Sequence, residues 1–204
     1  MPLATLFSTP VAMYEHPDLT AMNQEITAIL VKESESIPSV ARSNVGGWHS
    51  AYNLETRPEA CFRKLADMIV ARAQETSEIV ARTTGGHFPK VKATPHMWAM
   101  VMRDGHYTSP HTHSDSHWAT VYYPDAGDAN AKDHPGSGVI TFVDPRSGNF
   151  PIPGLSMTVG EFVVSPQTGQ LLVFPGWLMH YVHTYRGSRP RVSISCNVTY
   201  DYVK

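Results

Sequence analysis

Beyond Gly86 the chain breaks into short apolar or alternating runs, over 91–102, 118–123, 139–143, 156–164, 171–174, 181–184 and 192–202. Clusters of Gly, Pro, Asn and Asp separate them. Runs of this length between turn residues are strands, and seven or eight in series predict a β-sandwich or barrel. Two earlier stretches have helical periodicity. Leu19, Met22, Ile26, Ile29 and Leu30 predict a helix over about 18–33, with Asp18 as its N-cap. Phe62, Leu65, Met68, Ile69, Ala73, Ile79 and Val80 predict a second, opened near Pro58 and stopped by Gly85-Gly86. A first strand is expected within 3–12, and 34–53 reads as loop. The expectation is one domain, 1–204. A helical and loop region, 1–86, would support a β core, 87–204, with both helices on one outer face.

Length agrees with one domain, since 204 residues stand against a prior of about 150 per domain. Lys and Arg number 16 against 18 Asp and Glu, a net charge of -2. Such a chain has no basic field to hold nucleic acid or an anionic membrane. Cys61 and Cys196 are the 2 cysteines and form neither a metal motif nor a disulfide framework, so a reducing, cytoplasmic setting is expected. The first residues lack a basic segment and a long apolar run, so no signal peptide is expected. No uncharged apolar stretch reaches membrane length.

Chemistry concentrates in Ser109-Pro110-His111-Thr112-His113-Ser114-Asp115, just ahead of Trp118–Tyr123. In an extended chain, residues two apart point to one side. His111 and His113 can therefore aim two imidazoles at one ion, and His113 with Asp115 can do the same. Three imidazoles, or two with a carboxylate, leave a mononuclear iron site open on one side. The alternative is a polar turn of ordinary composition.

Leu171–Phe174 runs through Pro175-Gly176 to His180, a position at the mouth of a strand that could close such a triad. Arg191, Ser193 and Ser195 share one face of the last strand, while Val192 and Ile194 share the other. An inward Arg requires an anion, and its fork fits a carboxylate. An exposed edge strand would leave Arg191 in water instead.

Several residues carry two readings. Tyr122 and Tyr123 point to opposite faces; one reaches the cavity, and Tyr123 is the candidate carried forward. Met100 and Met102 line an apolar chamber or fill the core. Arg146 contacts substrate or pairs locally with Asp144. Trp48, His49 and Ser50 cover the cavity mouth or pack. The long polar loop 125–138 is functional or a tolerated insertion.

Taken together, His111-Thr112-His113, Phe174-Pro175-Gly176-Trp177-Leu178-Met179-His180 and Arg191-Val192-Ser193 resemble the iron(II)/2-oxoglutarate-dependent oxygenases. The likeness is to a bacterial and phage subgroup related to the prolyl hydroxylases. Gly47-Trp48-His49-Ser50, Val121-Tyr122-Tyr123 and the block from Gly138 to Arg146 are similar to that subgroup's motifs, so the resemblance runs from about 44 to 201. It implies a double-stranded β-helix (jelly roll) with N-terminal helices. It also implies Fe(II) on His111, His113 and His180, and 2-oxoglutarate as cosubstrate on Arg191 and Ser193, with Tyr123 beside them. Dioxygen and a small-molecule or amino-acid-type substrate would complete the reaction. The implied activity is hydroxylation with release of succinate and CO2, and a homodimer is an open arrangement. His113 stands where relatives carry Asp, which keeps Asp115 open as a ligand. Two alternatives stand beside this. One is a cupin-like three-His dioxygenase without 2-oxoglutarate. The other is a non-enzymatic metal-binding jelly roll, since the fold hosts many functions.

Overall fold

The structure is a computed structural model describing residues 7–129, 132–146, 152–154 and 160–203. The described residues hold eleven strands, two long helices and two short 3-10 helices. The larger sheet orders its strands β1 (Ala12–Glu15), β9 (Gln170–Pro175), β6 (Trp118–Asp125), β11 (Arg191–Tyr202), β4 (Val91–Met102) and β3 (Trp48–His49). The smaller orders β2 (Asn44–Val45), β5 (Tyr107–His111), β10 (His180–Val182), β7 (Ile140–Val143) and β8 (Glu161–Val164). All pairings are antiparallel. Two such sheets face to face are the double-stranded β-helix expected from the sequence.

Helices α1 (Thr20–Ser36) and α2 (Ala60–Thr83) cover the outer face of the larger sheet. Ile26 and Leu30 of α1 and Phe62, Leu65, Ile69 and Ala73 of α2 are buried there. They meet alternate residues of the sheet: Met97, Ala99 and Val101 of β4, and Val192, Ile194, Cys196 and Val198 of β11. Intervening residues face the other sheet, where Met100, Met102, Val121, Tyr123, Phe142, Phe174 and Leu178 form a second apolar layer. The period of two thus divides each central strand between two cores. Gly85, at φ +76°, ends α2, and the Gly86 N–H closes back on the Ala81 carbonyl at 2.8 Å.

Boundaries differ from the sequence expectation at several places. The first strand is Ala12–Glu15, paired to β9, rather than 3–12; residues 3–6 of that expectation lie outside the described residues. Asp18 sits inside a 3-10 turn, Pro17–Leu19, and does not cap α1. The segment read as loop over 34–53 holds the end of α1 and two short strands, β2 and β3. With β1, these give the first 86 residues three sheet-edge strands besides the helices. Strand β5 also escapes the pattern of apolar runs, because Tyr-Thr-Ser-Pro-His is polar. Of the strand expected over 156–164, residues 156–159 lie outside the described residues, and β8 begins at Glu161. No described helix is long and apolar enough to cross a membrane.

Leu65, fully buried between α2 and the sheet, tests this docking. Leu65→Ala is expected to cost about 2–5 kcal/mol, read as a lower urea midpoint at unchanged slope. A loss under roughly 1 kcal/mol would mean that α2 is not packed as described.

Candidate metal centre

Strand register builds most of the site. His180 on β10 lies directly across from His111 on β5, with their ring centroids 4.4 Å apart. The third imidazole comes from outside the sheet. Strand β5 ends at His111, and His113 stands on the following turn, with ring centroids 5.3 Å from His111 and 5.1 Å from His180. One ring nitrogen from each of the three lies within 4.8 Å of the others. The Pro175-Gly176 turn holds the His113 loop in place, because the His113 N–H donates to the Gly176 carbonyl at 2.7 Å. A Cβ on Gly176 would come within 2.5 Å of the His113 carbonyl oxygen. The two sequence motifs are thus one structural unit.

Each Nδ1 meets an oxygen: His111 the Ser109 carbonyl at 2.8 Å, His180 the Leu178 carbonyl at 2.9 Å, and His113 the Asn197 Oδ1 at 2.7 Å. A carbonyl oxygen only accepts, so each Nδ1 carries the proton and each Nε2 keeps its lone pair. Burial holds His113 neutral, with a pKa lowered to about 4. Burial, reinforced by the neighbouring His111, lowers His180 to about 3. His111 is lowered by burial as well. Three neutral imidazoles with fixed tautomers could hold a first-row divalent ion. Among the described residues no carboxylate joins the cluster.

The triad opens into a cavity of about 300 Å³, whose far end is Arg191. That guanidinium is 2% exposed and lies over the Tyr123 ring, 5.0 Å from its centroid. Its NH1 lies 3.5 Å from Met102 Sδ, and no acid pairs with it among the described residues. The Tyr123 hydroxyl is buried near that guanidinium and makes no hydrogen bond of good geometry. Burial pushes that hydroxyl up to about 12, against the opposing pull of Arg191. A buried cation without a counter-charge is costly, as is an unpaired hydroxyl. Both are satisfied by a bound carboxylate, so this end of the cavity fits one arm of a dicarboxylate. Ser193 lines the same wall.

The loop expected over 125–138 closes this end; its residues 130 and 131 lie outside the described residues. The Tyr185 hydroxyl accepts from the Asp128 N–H at 3.0 Å and donates to the Arg189 carbonyl at 2.7 Å. Gly127, at φ +80°, passes so close that a Cβ would lie 2.3 Å from that hydroxyl. The exposed lining residues, Arg42, Tyr52, Thr112, Ser114 and Asp115, all stand at the opposite, open end.

The structure thus brings His111, His113, His180, Arg191, Ser193 and Tyr123 to one cavity. Asp115, the alternative ligand, is exposed at the mouth and outside the cluster. Tyr122 points the other way and donates to Asn23 Oδ1 at 2.7 Å. Trp48 is packed in the helix-side core, its Nε1 donating to the Ile37 carbonyl, whereas His49 lines the cavity and stacks on Trp98. Arg146 pairs with Asp144, Nε to Oδ1 at 2.9 Å. Sequence reasoning missed Asn197 and Trp98. Asn197 continues the inward series Arg191, Ser193, Ser195, so parity alone places it in the cavity.

A jelly roll with an open cluster of three imidazoles beside an anion anchor has the build of a mononuclear non-haem metal enzyme. Residues 96–197 match the family model described as "Putative 2OG-Fe(II) oxygenase". No curated protein matches the sequence. Solved structures share the fold at low identity. A Pseudomonas putida prolyl-4-hydroxylase is 17% identical, with TM-score 0.62, over 98% of this chain and 96% of its own. HygX from Streptomyces hygroscopicus, with nickel, 2-oxoglutarate and hygromycin B bound, is 12% identical, with TM-score 0.64, over 94% and 83%. The epimerase SnoN, with Fe3+, alpha ketoglutarate and nogalamycin RO, is 15% identical, with TM-score 0.63, over 96% and 82%. The chain belongs to the 2OG-Fe(II) oxygenase family. It is a non-haem iron oxygenase with 2-oxoglutarate as cosubstrate.

Asn197 offers a test of the site. Asn197→Ala removes the acceptor for His113 and is expected to weaken iron(II) binding by about 10–100-fold, whereas Asn197→Asp keeps an acceptor and retains tight binding. Asp115→Ala should bind iron(II) like the parent. Anaerobic titration checks all three, and loss of metal from Asp115→Ala alone would return that carboxylate to the coordination shell.

Proposed function

We propose that His111, His113 and His180 hold iron(II) through Nε2, and that Arg191, Ser193 and Tyr123 hold the distal carboxylate of 2-oxoglutarate. The enzyme then hydroxylates a small molecule or an amino-acid side chain. The observation that carries this reading is one cavity joining three lone-pair-bearing imidazoles to a buried arginine with no acidic partner among the described residues. When bound, iron(II) with 2-oxoglutarate and dioxygen supplies the oxidation of a C–H bond and leaves succinate and carbon dioxide.

The chain's own residues position and protect. Ser109, Leu178 and Asn197 fix the ring orientations of the triad. Phe142 and Phe174 pack around His180, with ring centroids 6.0 and 4.8 Å away, and keep water from that side. Trp98 stacks on His113 at 5.5 Å and 19°, leaving the ring little freedom to swing. Arg191 orients the cosubstrate from the closed end, so that its other end faces the imidazoles. The solved relatives include a prolyl hydroxylase and an epimerase, so the outcome on the substrate rests on what enters the mouth.

A three-His dioxygenase without 2-oxoglutarate would give Arg191 no task. Arg191→Leu decides between the two. It is expected to cost about 2–5 kcal/mol of 2-oxoglutarate binding with iron binding kept, while His180→Ala loses iron. Calorimetry and anaerobic metal titration measure these. Unchanged 2-oxoglutarate affinity in Arg191→Leu would place the anchor elsewhere, with Arg186 and Arg189 next to examine. Stoichiometric succinate from 2-oxoglutarate in the parent enzyme completes the test.

A further inference from the structure

The mouth of the cavity carries two opposite charges that the proposed reaction has not used. Arg42 and Asp115 both line it, and both are exposed. They do not pair with each other, and neither has an oppositely charged partner among the described residues. Arg42 is nonetheless held in place. Its Nε donates to the Tyr52 hydroxyl at 3.2 Å, and its NH1 donates to the Ala41 carbonyl at 3.1 Å. Its guanidinium lies 5.6 Å from the Tyr52 ring centroid. Asp115 is carried by the turn that also carries His113. The Ser116 N–H closes that turn on the His113 carbonyl at 3.0 Å.

Between the rim and the triad the wall is aromatic. Tyr52 packs on Trp98 at 4.8 Å, and Trp98 lies between His49, at 5.9 Å and 12°, and His113, at 5.5 Å and 19°. A ligand reaching the triad from the mouth therefore passes a held cation, an exposed anion and then an aromatic wall. The cavity is small, at about 300 Å³, and part of it belongs to the cosubstrate. Such a space takes one amino-acid side chain beside the cosubstrate, with the α-carbon left at the rim.

We propose that this rim recognises a free α-amino acid, Arg42 taking its carboxylate and Asp115 its ammonium group, while its apolar side chain runs along Trp98 towards the triad. The proposal rests on the oxygenase reading and adds the substrate class. Two charges presented by one small molecule match two fixed charges too far apart to pair. A carboxylate on guanidinium is the stronger of the two contacts.

The test uses the protein loaded with nickel(II) and 2-oxoglutarate, so that no turnover occurs during titration. The probes are free amino acids with aliphatic and aromatic side chains, their amides, their N-acetyl derivatives and the doubly capped forms. Calorimetry is expected to find at least one free amino acid that binds, with each cap weakening it tenfold or more. The same amino acid should raise succinate release from the iron(II) enzyme. In Arg42→Gln the preference for acid over amide should vanish, and in Asp115→Asn the preference for amine over N-acetyl. Thermal unfolding and 2-oxoglutarate affinity of each variant report that it is folded and loaded. A doubly capped form binding as well as the free amino acid overturns the proposal. So does a protein that binds 2-oxoglutarate but no free amino acid. Failure to bind 2-oxoglutarate at all overturns the oxygenase reading itself, and the substrate class with it.

Discussion

One wall of the cavity depends on the register of one strand. β11 is central in the larger sheet, paired along its length to β4 and over much of it to β6. Val192, Ile194, Cys196 and Val198 face the helices, and Arg191, Ser193, Ser195 and Asn197 face the cavity. A slip of one residue would turn the arginine into the apolar core and the isoleucine into the cavity. The hydrophobic layer under α2 therefore fixes the position of the anion anchor and of the acceptor that orients His113. Packing and chemistry are opposite faces of the same alternation.

Much of this was legible in the chain. Strongly periodic stretches, such as the two helices and β4, β6, β9 and β11, announce themselves because burial enforces their pattern. Elements too short or too polar to form a pattern are silent: β2 and β3 are two residues each, and β5 is polar with a proline. The histidines were legible as types, but their geometry was not. Same-face spacing in a strand brings His111 and His113 together on paper, yet the strand stops at His111 and His113 reaches the cluster from a turn. That turn is held by Gly176, more than sixty residues later. Contacts of that separation leave no periodic trace. Asp115 illustrates the same limit, because spacing alone admits it and only the turn sends it outward.

The donor set has an electrostatic side. Three imidazoles would bring no negative charge to an ion held there, and the charged side chains of the cavity sit elsewhere: a cation at the closed end, a cation and an anion at the mouth. The field along the cavity is therefore set by what binds in it. In the proposed arrangement an anionic cosubstrate would neutralise the buried guanidinium and offer the metal the negative charge that the imidazoles withhold.

The knot of Tyr185 with the 127–128 turn has a consequence for traffic. It shuts the Arg191 end, and exposure along β11 rises only towards Asn197 and the mouth. Among the described residues the chamber opens at the mouth and is closed at the Arg191 end. Whatever docks at the far wall must pass the imidazoles before anything else takes the space near the entrance, and it leaves only after that space has cleared. In the proposed arrangement that shape sets a queue, in which the deep guest arrives first and departs last.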